Sequence, residues 1–158
     1  MIPASRFWQP DVTVASVVID EGRVLVVEER VEGRLVLNQP AGHLEPDEAL
    51  IDAAVREALE ETGWDIRPTA FIGAYQWKAP SVSGGGEPRQ YMRLAFLAEP
   101  LAFDPARALD EGIVRAIWMT PQELSAEAAR HRSPLVERVV RDALAGQRYP
   151  LDLVRSLL

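Results

Sequence analysis

Apolar runs separated by short polar turns mark the first part of the chain. Residues 12–19 and 23–29 are rich in valine and flank Asp20-Glu21-Gly22, a pattern that predicts a β-hairpin. A third short strand is predicted over residues 35–37, before Asn38-Gln39-Pro40. Apolar and aromatic positions predict three more strands, over residues 71–77, 90–98 and 113–119.

Helix signals lie between and after these strands. Pro46, followed by two acidic residues, predicts the start of a helix that ends at Thr62, because proline suits the first helical position and Gly63 suits the C-terminal cap. A short helix is predicted over residues 121–129, and Ser133-Pro134 begins a last one that runs to residue 145. This order predicts an α/β (α+β) fold, with a mixed sheet between helices.

Composition narrows the possible chemistry. A chain of 158 residues with 47% hydrophobic residues fits a single domain over residues 1–158. There is no cysteine, which excludes thiolate nucleophiles, iron–sulfur clusters and zinc sites built on cysteine. With only His43 and His131 available, a metal site would depend on oxygen ligands, which favours magnesium, manganese or calcium.

The net charge of −7 is concentrated in one window. Residues 42–62 contain seven acidic side chains and one basic side chain, so six of the seven net negative charges lie there. An acidic chain without a basic tract argues against nucleic-acid and membrane-surface partners. Without a secretion signal or a long apolar run, the expected location is the cytoplasm. The expected partner is a small molecule, and both a monomer and a homodimer stay open.

Three glutamates share one face of the first predicted helix. Glu57, Glu60 and Glu61 have i, i+3 and i+4 spacing, so their carboxylates repel one another. Arg56 supplies only one compensating positive charge, so the pattern favours a bound divalent cation that supplies the rest. The preceding loop contains Gly42, which allows the backbone to approach a ligand closely.

These residues resemble the Nudix box, whose pattern is G-x5-E-x7-R-E-U-x-E-E-x-G-U, with U a bulky aliphatic residue. The match covers residues 42–64: Gly42, Glu48 and then Arg56-Glu57-Ala58-Leu59-Glu60-Glu61-Thr62-Gly63-Trp64. All seven fixed identities are present. Ala58 and Trp64 depart from the aliphatic positions, which bears only on packing beneath the helix.

The resemblance implies an α/β/α sandwich that hydrolyses phosphorus anhydrides. It implies a Mg²⁺ site, with Mn²⁺ as the alternative ion, formed by Glu57, Glu60, Glu61 and the backbone carbonyl of Ala41. It gives Arg56 the role of orienting the glutamates, and Glu48 a supporting role.

The general base stays open at this point. Glu57 or Glu60 could accept a proton from the attacking water. Many Nudix enzymes use an acid on a later loop instead, and Asp110 and Glu111 are the candidates here. Each of these two could equally be a turn residue that closes a hairpin.

Further stretches resemble the NudJ-type phosphatases within this family. They are residues 12–15, 38–45, 76–80, 132–136 and 146–151. That group is associated with release of orthophosphate from nucleoside tri- and diphosphates, hydroxymethylpyrimidine diphosphate and thiamine diphosphate. The alternatives are a Nudix pyrophosphohydrolase of another branch, such as one acting on ADP-ribose, and a non-catalytic nucleotide-binding domain. Pro80, sixteen residues after Trp64, is the one feature that favours the ADP-ribose branch.

The expected substrate-binding residues lie after the box. Tyr75, Gln76 and Trp77 are expected to hold the organic part by stacking and an amide hydrogen bond, although a strand-end aromatic can also pack in the core. Arg93, with Arg89, is expected to meet phosphate oxygens, or else to be a solvated strand residue. The glycine run at residues 83–86 is expected to form a mobile lip.

Overall fold

The computed structural model describes residues 7–80 and 86–158, so the expected lip lies mostly outside the described residues. The described part contains seven strands and three α-helices, with 3-10 turns at Ala128–Arg130 and Leu151–Leu153. The strands are β1 (Asp11–Asp20), β2 (Arg23–Val31), β3 (Arg34–Asn38), β4 (Ala41–His43), β5 (Trp64–Lys78), β6 (Gln90–Phe103) and β7 (Ile113–Met119). The helices are α1 (Leu50–Thr62), α2 (Pro121–Ala126) and α3 (Leu135–Leu144). No helix in these described ranges is long and apolar enough to cross a lipid bilayer.

The sheet is mixed, as predicted. Its strand order is β3-β2-β1-β6-β5, with β4 paired to β1 and β7 paired to β2. Strands β1 and β6 run parallel, whereas the other pairs are antiparallel. The predicted hairpin is confirmed by the pairing of Ile19 with Val24.

Both faces of the sheet are buried, and β1 shows this by alternation. Val14 and Val18 belong to the clusters that contain the small residues of α1, Ala54 and Ala58. Val17, on the opposite face, belongs to the cluster that contains α2 and α3 residues. Helices therefore cover both sides of the sheet, and the α/β/α sandwich is confirmed.

The first helix begins later than predicted. It starts at Leu50, not at Pro46, because Asp47 adopts φ +59°, a left-handed conformation that a helix cannot contain. Glu48 therefore lies in the loop before the helix. The predicted end is correct: Gly63 has φ +75° and donates its N–H to the Leu59 carbonyl.

Some strands differ from their predicted bounds. Strand β5 begins at Trp64 instead of residue 71, since bulges at three points along it and Pro68 within it break the alternating pattern. Residues 41–43, predicted as loop, form β4 against β1. This short strand brings the box glycine beside α1.

Candidate active site

Arg56 connects the loop before α1 to the acidic face of that helix. Its Nε and Nη2 donate to the two carboxylate oxygens of Glu48 at 2.5 and 3.0 Å. Its Nη1 donates to Glu57 at 2.8 Å and Glu60 at 3.1 Å, and Nη2 also reaches the His43 carbonyl at 3.1 Å. These partners, Glu48 first, raise the pKa of Arg56 well above its ordinary value, so it is permanently charged. One guanidinium thus fixes three carboxylates.

Glu57 fills the space that a side chain at position 42 would occupy. A Cβ atom built on Gly42 would lie 2.1 Å from the Glu57 carboxyl carbon. Burial raises the pKa of Glu57, although the Arg56 hydrogen bond opposes this shift. Position 42 therefore requires glycine for a steric reason, because any larger residue would collide with the Glu57 carboxylate that packs against β4.

Three carboxylates come close enough to share a metal ion. Oxygens of Glu57, Glu60 and Asp110 lie within 4.8 Å of one another. The Asp110 N–H donates to the Glu60 carbonyl at 3.0 Å, which ties the loop before β7 to the end of α1. An all-oxygen set of this kind fits Mg²⁺, Mn²⁺ or Ca²⁺. We call these three residues the carboxylate cluster.

The other expected acids are placed differently. Glu61 is buried, and its Oε1 accepts the Ala41 N–H at 2.7 Å; it is not part of the carboxylate cluster. Burial raises the pKa of Glu61 to about 9. Of the two later-loop candidates, Asp110 joins the carboxylate cluster, whereas Glu111 is exposed and outside it. The ligand role expected for the Ala41 carbonyl stays a prediction.

A cavity of about 320 Å³ opens beside β4, and we call it the substrate cavity. Its lining includes Ala41, Gly42, His43, Trp77, Tyr91 and Arg93. Because Gly42 also contacts the Glu57 side chain, this cavity lies next to the carboxylate cluster.

Arg93 is buried in the wall of the substrate cavity. Its hydrogen bonds, to Thr13 at 3.5 Å and Gln39 at 3.4 Å, are long and go to neutral oxygens. Among the described residues, no carboxylate forms an ion pair with it. Burial, reinforced by the charge of Arg132, lowers the pKa of Arg93 to about 10. A buried cation without an anionic partner, in a cavity wall, is suited to an anionic ligand.

Only one of the three residues expected to hold the organic group lines this cavity. Trp77 does so, and its ring stacks on Tyr91 at 5.6 Å between centroids. Gln76 is exposed and points to the other face of β5. The Tyr75 hydroxyl donates to Asp142 of α3 at 2.7 Å, and burial together with this carboxylate raises the pKa of Tyr75. Tyr75 therefore helps to dock α3, and the expected binding roles of Tyr75 and Gln76 have no support in this geometry.

Tyr91 and Arg132 line the substrate cavity, although the sequence predicted no role for either. The register between β5 and β6 places Tyr91 opposite Trp77. The one sequence signal is that Tyr91 and Arg93 are two residues apart in a predicted strand and therefore share a face. Arg132 lines the cavity, ion-paired to Glu29 at 2.6 Å. Arg132 belongs to one of the stretches that resemble the NudJ-type phosphatases, residues 132–136, but that resemblance implies no role for it.

Comparisons with known proteins agree with this architecture. The family described as NUDIX domain matches residues 9–139. The phosphatase NudJ of Escherichia coli K12 is 42% identical over 147 residues, covering 93% of this chain and 92% of that protein. A NUDIX hydrolase structure from Nitrosomonas europaea is 45% identical, with a TM-score of 0.87, and covers 94% of this chain and 97% of its own. An ADP-ribose pyrophosphatase from Streptococcus suis, 15% identical with a TM-score of 0.62 over 89% of this chain and 96% of its own, shares the fold alone.

Proposed function

The chain belongs to the NUDIX family and is a hydrolase of phosphorus anhydrides, and from this premise we propose that it is a Mg²⁺-dependent phosphatase of the NudJ type. Its proposed substrates are nucleoside tri- and diphosphates and related diphosphates, such as hydroxymethylpyrimidine diphosphate or thiamine diphosphate. The observation that supports the proposal is the substrate cavity, where the buried Arg93, which forms no ion pair with a described carboxylate, lies near the carboxylate cluster.

The donor set fits the proposed ion. Glu57, Glu60 and Asp110 would hold Mg²⁺, or Mn²⁺ in its place, and Glu61 and the Ala41 carbonyl are further ligands expected from the family pattern. When bound, the ion neutralises negative charge and lowers the pKa of a coordinated water. Arg56 keeps Glu57 and Glu60 in place through its hydrogen bonds to both.

The remaining roles belong to the chain's own side chains. Arg93 holds a phosphate of the substrate, and the Trp77 ring packs on the organic group. A carboxylate accepts the proton of the attacking water, and each member of the carboxylate cluster, Glu57, Glu60 or Asp110, is a candidate for this role. Attack on the terminal phosphorus breaks its bond to the bridging oxygen, which releases orthophosphate and leaves the organic monophosphate from a diphosphate or the diphosphate from a triphosphate.

The experiment is a product analysis with four substrates. Hydroxymethylpyrimidine diphosphate, ATP, ADP and ADP-ribose are each incubated with the protein, with and without Mg²⁺. Direct release of orthophosphate that requires Mg²⁺ is expected. Glu60→Gln should lower the rate by about a hundredfold or more, whereas the matched control Glu99→Gln, at an exposed ion pair with Arg67, should not change it.

The same analysis separates the alternatives. AMP and ribose phosphate from ADP-ribose, without orthophosphate from the other substrates, would identify a pyrophosphohydrolase of another branch. Binding without turnover of any substrate would identify a nucleotide-binding domain, although the chain retains all the glutamates of the box. The cytoplasmic location, the lack of nucleic-acid or membrane partners and the choice between monomer and homodimer stay predictions.

A further inference from the structure

The substrate cavity continues into a second pocket. This pocket has a volume of about 510 Å³ and shares Trp77, Arg132 and Ser133 with the substrate cavity. Arg132 therefore lies at the junction of the two, beside the tryptophan that would pack on the organic group. A side chain in this position can contact both the phosphate and the organic part of a substrate.

Arg132 is held in place at two points. Its backbone N–H donates to the Leu37 carbonyl at 2.9 Å. Its Nη1 donates to Glu29 at 2.6 Å, and its side chain is 45% exposed. The hydrogen bond to Glu29 uses one of the five N–H donors of a guanidinium, so others are available to a ligand. Glu29 thus orients Arg132 without saturating it.

The charges around the substrate cavity favour a doubly charged anion. Its lining includes three arginines, Arg89, Arg93 and Arg132, and one carboxylate, Glu29. Arg89 is paired with Asp11 through two hydrogen bonds and Arg132 with Glu29 through one, so Arg132 keeps more of its N–H donors for a ligand than Arg89 does. Arg93 has no ion pair with a described carboxylate, and its charge is available to the same ligand. Arg93 and Arg132 line the same cavity, so one ligand bound in it can contact both.

We propose that Arg132 is a specificity-determining residue that, together with Arg93, selects substrates whose last phosphate is a free terminal group over those whose last phosphate is esterified to a further organic group. A terminal phosphate carries a charge of about −1.5 to −2 and three free acceptor oxygens. An esterified phosphate carries one negative charge, and its organic substituent would displace a guanidinium. Two guanidinium groups match the first ligand and only partly match the second.

This inference rests on the proposed function, because it explains why cleavage would release orthophosphate. It makes a separate statement about binding, however, and binding can be measured without turnover. The probes are the α,β-methylene analogues of ADP and of ADP-ribose, which have the same adenosine and differ in whether the second phosphate is esterified.

Isothermal titration with these analogues in the presence of Mg²⁺ compares wild type, Arg132→Ala and Arg132→Lys. For Arg132→Ala, the Kd of the ADP analogue should rise by about tenfold to a hundredfold, the loss expected for one charge-assisted contact. The Kd of the ADP-ribose analogue should change by less than about threefold on the same argument. For Arg132→Lys, the Kd of the ADP analogue should lie between those of wild type and Arg132→Ala, since lysine keeps the positive charge but lacks the planar, two-point donor geometry of the guanidinium. The matched control is Arg67→Ala, which removes an exposed arginine that is ion-paired to Glu99 between β5 and β6.

The outcomes distinguish this inference from the proposed function. Equal weakening of both analogues by Arg132→Ala, or no weakening of either, overturns the selectivity, whatever the activity of the wild type. If the wild type binds the ADP analogue selectively through Arg132 but releases no orthophosphate, the selectivity stands and the proposed function fails. Thermal unfolding of Arg132→Ala close to that of the wild type excludes misfolding as the cause of weaker binding.

Discussion

Replacing Gly42 with alanine should inactivate the enzyme while leaving it folded. The added methyl group would lie 2.1 Å from the Glu57 carboxyl carbon and 2.2 and 2.3 Å from its two oxygens. Gly42 is not among the glycines with left-handed φ, so alanine fits the backbone and the whole effect is this collision. The carboxylate must retreat by roughly 1 Å or more to reach an ordinary contact distance.

That displacement should have unequal effects on rate and stability. A misplacement of about 1 Å in a reacting constellation lowers the rate by roughly a hundredfold. The stability loss is limited to a weakened hydrogen bond between Arg56 and Glu57, about 1–2 kcal/mol. For a chain of this size, that corresponds to a fall in Tm of about 2–8 °C.

The assay combines three measurements on Gly42→Ala: orthophosphate release, Mn²⁺ binding by electron paramagnetic resonance, and thermal unfolding. Gly86→Ala is the matched control, because none of the described residues lies within 4 Å of the Cβ that it adds. Both the rate and the Mn²⁺ affinity of Gly42→Ala should fall, whereas Gly86→Ala should retain them. Wild-type rate and Mn²⁺ affinity in Gly42→Ala would refute the placement of Glu57 against β4.

Three further substitutions test other parts of the molecule. Arg56→Lys keeps the charge but loses the two-point contact with Glu48, so orthophosphate release should fall by roughly tenfold to a hundredfold; an unchanged rate would contradict this. Trp77→Ala removes a wall of the substrate cavity and should raise KM by about tenfold, and an effect confined to kcat in steady-state kinetics would argue against stacking. Glu28→Gln removes a buried carboxylate whose pKa is lowered by hydrogen bonds from two arginines, and it should cost about 1–2 kcal/mol of unfolding free energy at pH 7. Because that pKa is lowered, the stabilisation is present above the ordinary value of 4.5 and is lost as the pH falls through the folded-state pKa. The unfolding free energies of wild type and Glu28→Gln, measured with urea, should therefore converge below pH 4.5. A difference between them that stays constant with pH would contradict the assignment of this stabilisation to the charged carboxylate.

The sandwich could be predicted because its strands and helices have strong local signals. The turn at Gly22 and the cap at Gly63 both adopt φ near +75°, which glycine accommodates without strain. The start of α1 could not be predicted, since Pro46 and the acids after it are typical of a helix start, yet Asp47 is left-handed. The early part of β5 was missed because bulges and Pro68 interrupt its alternation.

The candidate site was predictable only where its residues lie on one element. The shared face of Glu57 and Glu60 follows from helical spacing. That Asp110, and not Glu111, meets them depends on how the loop before β7 reaches the end of α1. Trp77 beside Tyr91 depends on the register of two strands, which no local pattern determines.

The arginine of the box cannot by itself neutralise the acids around it. For carboxylates within 4.8 Å, repulsion is about 1–3 kcal/mol per pair between the dielectric limits of bulk water and a protein surface. Arg56 bonds to Glu57 and Glu60 but also gives a two-point contact to Glu48, so its single charge is divided among three acids. Among the described residues, no arginine forms a hydrogen bond or ion pair with the Asp110 carboxylate, and the hydrogen bond that Glu61 accepts comes from a backbone N–H. Burial raises the pKa values of Glu57 and Glu61, and the neighbouring carboxylates, Asp110 among them, raise both further. Arg56 therefore acts as an organiser that holds the carboxylates in position, and the positive charge that they still lack is what a divalent ion would supply.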